Sequence, residues 1–302
     1  MQCTGIILHQ RLVNGFLGGP YNASFSVDHN NRSFSICIEQ IGIRKITIST
    51  ETAAALDSFV TLFNSLDMML MLMDGEFLQI EKAETVNGDD QASDELIEYF
   101  KQRPGLYTSA DFTRGSHSKF IEFDAIVSAD MLAAWFDISK ELDILHNMVL
   151  YSMADTGITV DCKCAVLIEA YKALSELLLQ RVDGFSITTN KKQPSLKERL
   201  KAIILKYGQD IFITELQYED NFLQTLVHSR NRIAHIKSNQ GENYLTGEES
   251  VLYVVKLSYL YRRVLLDLLG VNYSLYSEKL KDSITKWDEW EGILSAFIKK
   301  LK

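Results

Sequence analysis

A chain of 302 residues, 46% apolar and 24% charged, has an ordinary globular composition and exceeds the usual size of a single core, so two domains are expected. The formal net charge of −9 argues against a general nucleic-acid coat protein. The strongest apolar run, Met68 to Met73, is flanked by Asp67 and Asp74 and is far too short to cross a bilayer, so no membrane partner is expected.

The first part of the chain reads as strand-rich. Cys3 to His9, Ser33 to Glu39 and Arg44 to Thr50 are β-branched or alternating runs, separated by turn signals at Gly18-Gly19-Pro20 and Asp28-His29-Asn30-Asn31. A helix is expected to start at a cap, Thr50 or Thr52, and to run through Leu56, Phe59, Val60 and Phe63. Phe77 to Ala83 and Lys119 to Ile126 are further strand candidates, and the polar stretch Asn87 to Ser93 is expected to be an exposed loop. His9, His29 and His117 have no partners at ligand spacing and read as surface or edge residues. Cys3, Cys37, Cys162 and Cys164 are too few for a disulfide framework, and no second pair completes a zinc site with Cys162 and Cys164. The N-terminus shows no charged segment followed by an apolar one, so reduced thiols in a cytoplasm are expected.

From Ser128 onward the pattern is almost wholly helical. Ser128-Ala129-Asp130 opens a helix carrying Met131, Leu132, Trp135 and Phe136, and a further stripe follows through Leu142, Leu145, Val149 and Met153. Asp161 is expected to cap a long helix that buries Ala165, Ile168, Leu174, Leu177 and Leu178 and stops near Gly184. Ser195 is read as the cap of a helix from Leu196 to Tyr207, stopped by Gly208. Helices from Glu219 to Ile236 and from Glu248 to Leu269 are separated by a polar loop, Lys237 to Gly247. Trp287, Trp290, Ile293, Leu294 and Phe297 predict one final amphipathic helix. The expected fold class is α+β: a small strand-rich module over residues 1–126, then an all-α helical domain over 127–302.

Charge is unevenly spread. Residues 1–125 hold 17 acids and 9 bases, whereas residues 126–302 hold 23 and 22. Lys191, Lys192, Lys197, Arg199, Lys201 and Lys206 meet only Glu198 in their own stretch, so a phosphate-binding surface is expected in the C-terminal half, against the alternative of a solvated helix face. Within it, Arg230-Asn231-Arg232-Ile233-Ala234-His235 places an arginine, an amide and a histidine within six residues, and no acid occurs between Asn221 and Gly241. A histidine can move protons near neutral pH and an arginine can hold a phosphate, which together suit metal-free RNA cleavage. Phe222, Leu226, Ser229, Ile233 and Ile236 share one stripe, with Asn231 and His235 opposite and His228 and Arg232 beside them. On an ideal helix Arg230 lies about 140° from His235. Either the arginine reaches around, the helix distorts, or a second chain helps.

Arg230-Asn231-x-x-x-His235 resembles the signature of HEPN domains. In its setting it is similar to the ApeA-like branch, named for a bacterial abortive-infection protein. The setting is Ser195-Leu196-Lys197-Glu198-Arg199-Leu200-Lys201, then Leu226-Val227, then the leucine-rich stretch from Leu257 to Gly270, so the resemblance covers roughly residues 128–270. It implies a HEPN helical bundle that pairs through its motif helices into a homodimer with one composite site. Arg230 would contact the scissile phosphate, His235 would serve in acid/base catalysis or phosphate stabilisation, and Asn231 would support them. The implied activity is a metal-independent endoribonuclease of an anti-phage defence system. No cofactor is implied, and the partners are RNA together with a phage-derived trigger or a cognate inhibitor. A non-catalytic scaffold that binds RNA, a nucleotide or a partner protein is the alternative. A binding protein with a chance motif is a third reading.

Overall fold

A computed structural model describes residues 2–12, 20–74, 78–86, 96, 111–112, 121, 126–155, 157–235 and 243–302. The described residues divide into two compact units. One lies within Met1–Phe112, Ile121–Lys140 and Leu269–Val271; the other lies within Glu141–Leu268 and Asn272–Lys302. The architecture is α+β, a five-stranded antiparallel sheet followed in the chain by a helical region.

In the first unit, β1 (Gln2–Leu12), β2 (Tyr21–His29), β3 (Arg32–Ile41), β4 (Ile43–Ala55) and β5 (Leu78–Thr85) pair in the order β2-β3-β4-β1-β5. Side chains alternate across the sheet, so Ile6 and Leu8, Phe25, Phe34, Ile36 and Ile38, and Ile46 and Ile48 are buried. Helix α1 (Leu56–Asp74) buries Phe59, Leu62, Phe63, Leu66, Met69 and Leu70, and Phe59 meets Phe34 edge-on at 5.3 Å. Asn30 and Asn31, at φ 50° and 59°, form the two-residue turn joining β2 to β3.

Two expectations are corrected here. Strand β2 has no counterpart in the sequence reading, although Tyr21, Ala23, Phe25 and Val27 alternate with polar residues. Helix α1 begins at Leu56 rather than at a threonine cap. The segment after Thr50 stays extended because Ala54 and Ala55 pair with Cys3 and Gln2 of β1, a long-range pairing that overrides the local cap signal. Gly18, Gly19, Phe77, His117, the Asn87 to Ser93 loop, Ile236 and most of the Lys119 to Ile126 and Lys237 to Gly247 segments lie outside the described residues.

At one end of the sheet's buried face the apolar pattern gives way to a polar row. Gln10 of β1 and Gln40 of β3 both stand opposite Arg44 of β4, and all three are buried. Arg44 Nε donates to Gln40 Oε1 at 3.3 Å, and Gln10 Nε2 donates to Oδ1 of the buried Asp67 on α1 at 2.7 Å.

Helix α2 (Ala129–Met153) is capped by Ser128, whose Oγ accepts from Met131 N at 3.1 Å. It is continuous, so both apolar stripes from Met131 to Met153 belong to one helix. It is followed by α3 (Val160–Arg181), α4 (Leu196–Tyr207), α5 (Glu219–His235), α6 (Glu248–Leu268), α7 (Ser277–Asp288) and α8 (Ile293–Leu301). The residues expected to face inward on α3 are buried. Thr159, not Asp161, holds the N-cap position of α3. The expected final helix is two helices. Glu291 and Gly292, at φ 47° and 72°, break the run between Trp290 and Ile293.

Helix α4 matches its sequence signals residue by residue. Ser195 Oγ accepts from Glu198 N while the Glu198 carboxylate accepts from Ser195 N at 2.6 Å, a reciprocal capping box. Ser195→Ala is expected to lower stability by about 1 kcal/mol in a urea titration, the usual worth of such a cap. An unchanged midpoint would show that water replaces it.

Candidate active site on helix α5

Helix α5 is anchored on one side by Phe222, Leu223, Thr225, Leu226 and Ser229, all buried. Ser229 Oγ donates to Thr225 O at 2.7 Å and accepts from Leu245 N at 2.8 Å, so the return segment is pinned to the helix. Ile233 is only half-buried. Arg230 and Asn231 are half-buried, and His235 is exposed at the last turn.

The angular problem posed by Arg230 and His235 is solved by side-chain length. Within one continuous helix, Arg230 Nη1 donates to Asn231 Oδ1 at 2.9 Å and lies 3.5 Å from His235 Nε2. The arginine reaches around, and one chain brings the three residues together. A guanidinium can only donate, so a hydrogen bond between the two would run from Arg230 to the imidazole ring.

The arginine has a further partner with no signal in the motif. Its Nε donates to Glu169 Oε2 on α3 at 2.7 Å. Sixty-one positions separate the two residues, so only the packing of α3 beside α5 could disclose the pair.

The neighbours of the motif are engaged differently. Arg232 stacks on Tyr244, its Cζ 4.3 Å from the ring centroid, and lies 3.9 Å from Asp161 Oδ2. Asp161 Oδ1 accepts from Gly247 N at 3.0 Å and from Ser250 Oγ at 2.6 Å. The carboxylate expected to cap its own helix instead ties the residue before α6 to a hydroxyl of its first turn, and Arg232 lies beside that junction. His228 Nε2 lies 2.6 Å from the Gln224 side-chain amide, one turn back on α5.

The basic run on α4 is largely neutralised. Lys197 pairs with Asp220 at 2.7 Å, Lys201 with Glu219 at 2.5 Å, and the buried Arg199 reaches Glu176 at 3.3 Å and Ser175 Oγ at 2.7 Å. Its acidic partners come from other helices, which the local charge count could not show. Among the described residues no cluster of three metal-ligating side chains occurs, and no helix is long and apolar enough to cross a membrane.

Comparison with protein families matches residues 167–275 to the Apea-like HEPN model. The match contains the whole of α4, α5 and α6, with both Glu169 and the Arg230 to His235 motif, and begins later than the resemblance read from sequence. No curated protein and no solved structure gives a match. Residues 167–275 of this chain are therefore an Apea-like HEPN domain.

Proposed function

We propose that the protein is a metal-independent endoribonuclease of a defence system, with Arg230, Asn231 and His235 as its catalytic residues. The observation that carries this reading is the convergence of Arg230 Nη1 on Asn231 Oδ1 and His235 Nε2 within one chain. In the reaction the ribose O2′ attacks the adjacent phosphorus and the P–O5′ bond breaks. The products are a 2′,3′-cyclic phosphate and a 5′-hydroxyl. One proton leaves the 2′-hydroxyl and one is delivered to O5′, which are tasks for an imidazole at neutral pH. Arg230 stabilises the charge that builds on the phosphoryl oxygens. Asn231 holds the guanidinium in place. A homodimer formed through the α5 helices brings two such clusters to one groove, so that one His235 accepts a proton while the other donates.

Cleavage of a mixed RNA in excess EDTA tests this reading. Wild type is expected to cut and to leave cyclic-phosphate ends, and a substrate with 2′-deoxyribose at the cleaved position should resist because it lacks the nucleophile. Cleavage abolished by EDTA, or cleavage of the deoxy substrate, would refute the mechanism. The second reading is a non-catalytic HEPN scaffold, favoured by the ion pair that already occupies Arg230 Nε. RNA or nucleotide binding without cleavage, in the presence of the activating trigger, would support it.

A further inference from the structure

Glu169 lies outside the motif, yet it makes the shortest contact that Arg230 forms. A guanidinium has five N–H donors. Nε is taken by Glu169 Oε2 at 2.7 Å. Nη1 faces Asn231 Oδ1 at 2.9 Å and His235 Nε2 at 3.5 Å. Nη2 has no partner among the described residues. Because the group is planar, fixing Nε and Nη1 to acceptors from two helices fixes its plane, and the two N–H groups of Nη2 are left to face a ligand.

We infer that Glu169 is the positioning residue of this site: its carboxylate holds Arg230 by the Nε edge, so that the remaining edge is presented to the scissile phosphate beside His235. The inference rests on the ribonuclease reading above. The need for such an anchor follows from helix geometry. Arg230 leaves α5 roughly 140° away from His235, so an unanchored side chain would sample water far more often than the histidine's side of the helix. Glu169 acts on the substrate only through the arginine. Its side chain is one-third exposed, so replacing it should not unfold the helix pair.

The test uses the full chain as wild type, Glu169→Gln, Glu169→Ala, Arg230→Lys and the Glu169→Ala/Arg230→Lys pair. Two readouts are taken: steady-state RNA cleavage, and the arginine Nε–H resonances in the NMR spectrum. Glutamine keeps an acceptor at the same reach, so Glu169→Gln should stay within about five-fold of wild type. Glu169→Ala should lower kcat by roughly 10- to 100-fold with KM little changed, the scale of a misplaced catalytic group. Lysine has no Nε–H in that position, so Glu169→Ala should have no further effect on Arg230→Lys.

In the spectrum, wild type should show a slowly exchanging Nε–H signal that vanishes in Arg230→Lys and in Glu169→Ala and survives in Glu169→Gln. Absence of that signal from wild type would overturn the anchor whatever the protein does to RNA. The anchor present in a chain that does not cut RNA would sink the ribonuclease reading instead, and with it Glu169's part in catalysis. Equal losses in Glu169→Gln and Glu169→Ala would replace positioning with a role for the charge. Faster cleavage by either variant would show that Glu169 masks the arginine.

Discussion

Arg230→Ala is expected to reduce RNA cleavage by about 10²- to 10³-fold while the protein stays folded, the usual cost of removing one donor aimed at developing charge. The side chain is about one-quarter exposed, and among the described residues its polar partners are Glu169, Asn231 and His235, so its loss removes contacts of the site rather than of the apolar core. His235→Ala should lose activity on a similar scale, because general acid–base catalysis contributes about 10²- to 10⁴-fold. Mixing the two variants adds a second outcome. Arg230 and His235 meet within one chain, so neither variant retains an intact pair and the mixture should remain inactive. Recovered cleavage would show that the arginine and histidine of a working site come from different chains. Full activity in either single variant would end the assignment.

The largest expected effect on stability lies away from the site. Lys256 of α6 and Glu215 are both fully buried and face each other at 2.6 Å, with Asp288 at the end of α7 2.8 Å from the same ammonium. Tyr253 donates to Glu215 Oε1 at 3.1 Å, and burial, followed by the neighbouring carboxylate, raises its hydroxyl pKa well above the usual range. Lys256→Met would leave Glu215 as a buried charge with no counterion, beside a second acid. A loss of about 3–5 kcal/mol is expected, read as a lower urea midpoint. Adding Glu215→Gln removes the stranded charge and should recover more than half of that loss. A single variant within about 1 kcal/mol of wild type would mean that the structure relaxes enough to admit water or a proton.

The parts of the fold set by near neighbours were legible in the sequence. Ser195, Glu198 and Gly208 delimit α4 because their signals act within a few residues, and the asparagine pair at 30–31 marks its hairpin for the same reason. What distant segments decide was not legible. The threonines at 50 and 52 are good caps, but sheet pairing with β1 keeps the chain extended past them. Strand β2 keeps its alternation, but the asparagine, serine and aspartate at its polar positions are poor strand formers and read locally as turn residues. One final helix was expected where Glu291 and Gly292 turn left-handed, and a single glycine in an amphipathic run is a weak stop signal. At the site, the motif supplied Arg230, Asn231 and His235. It could not supply Glu169, nor show that Arg232 and Asp161 serve the start of α6.

The polar row of Gln10, Gln40 and Arg44 bears on how the sheet chooses one alignment. Isoleucine-rich strands such as β3 and β4 would bury apolar surface in several offsets, since Ile36, Ile38, Ile46 and Ile48 are nearly interchangeable. A two-residue slip would keep these four isoleucines on the inner face. It would also set Arg44 against an apolar neighbour, with its glutamine displaced, and leave a charge in the interior without its hydrogen bonds. A one-residue slip would turn the whole set toward solvent. The row therefore acts as a key cut for one register, discriminating against misaligned sheets more than it adds to the stability of the correct one.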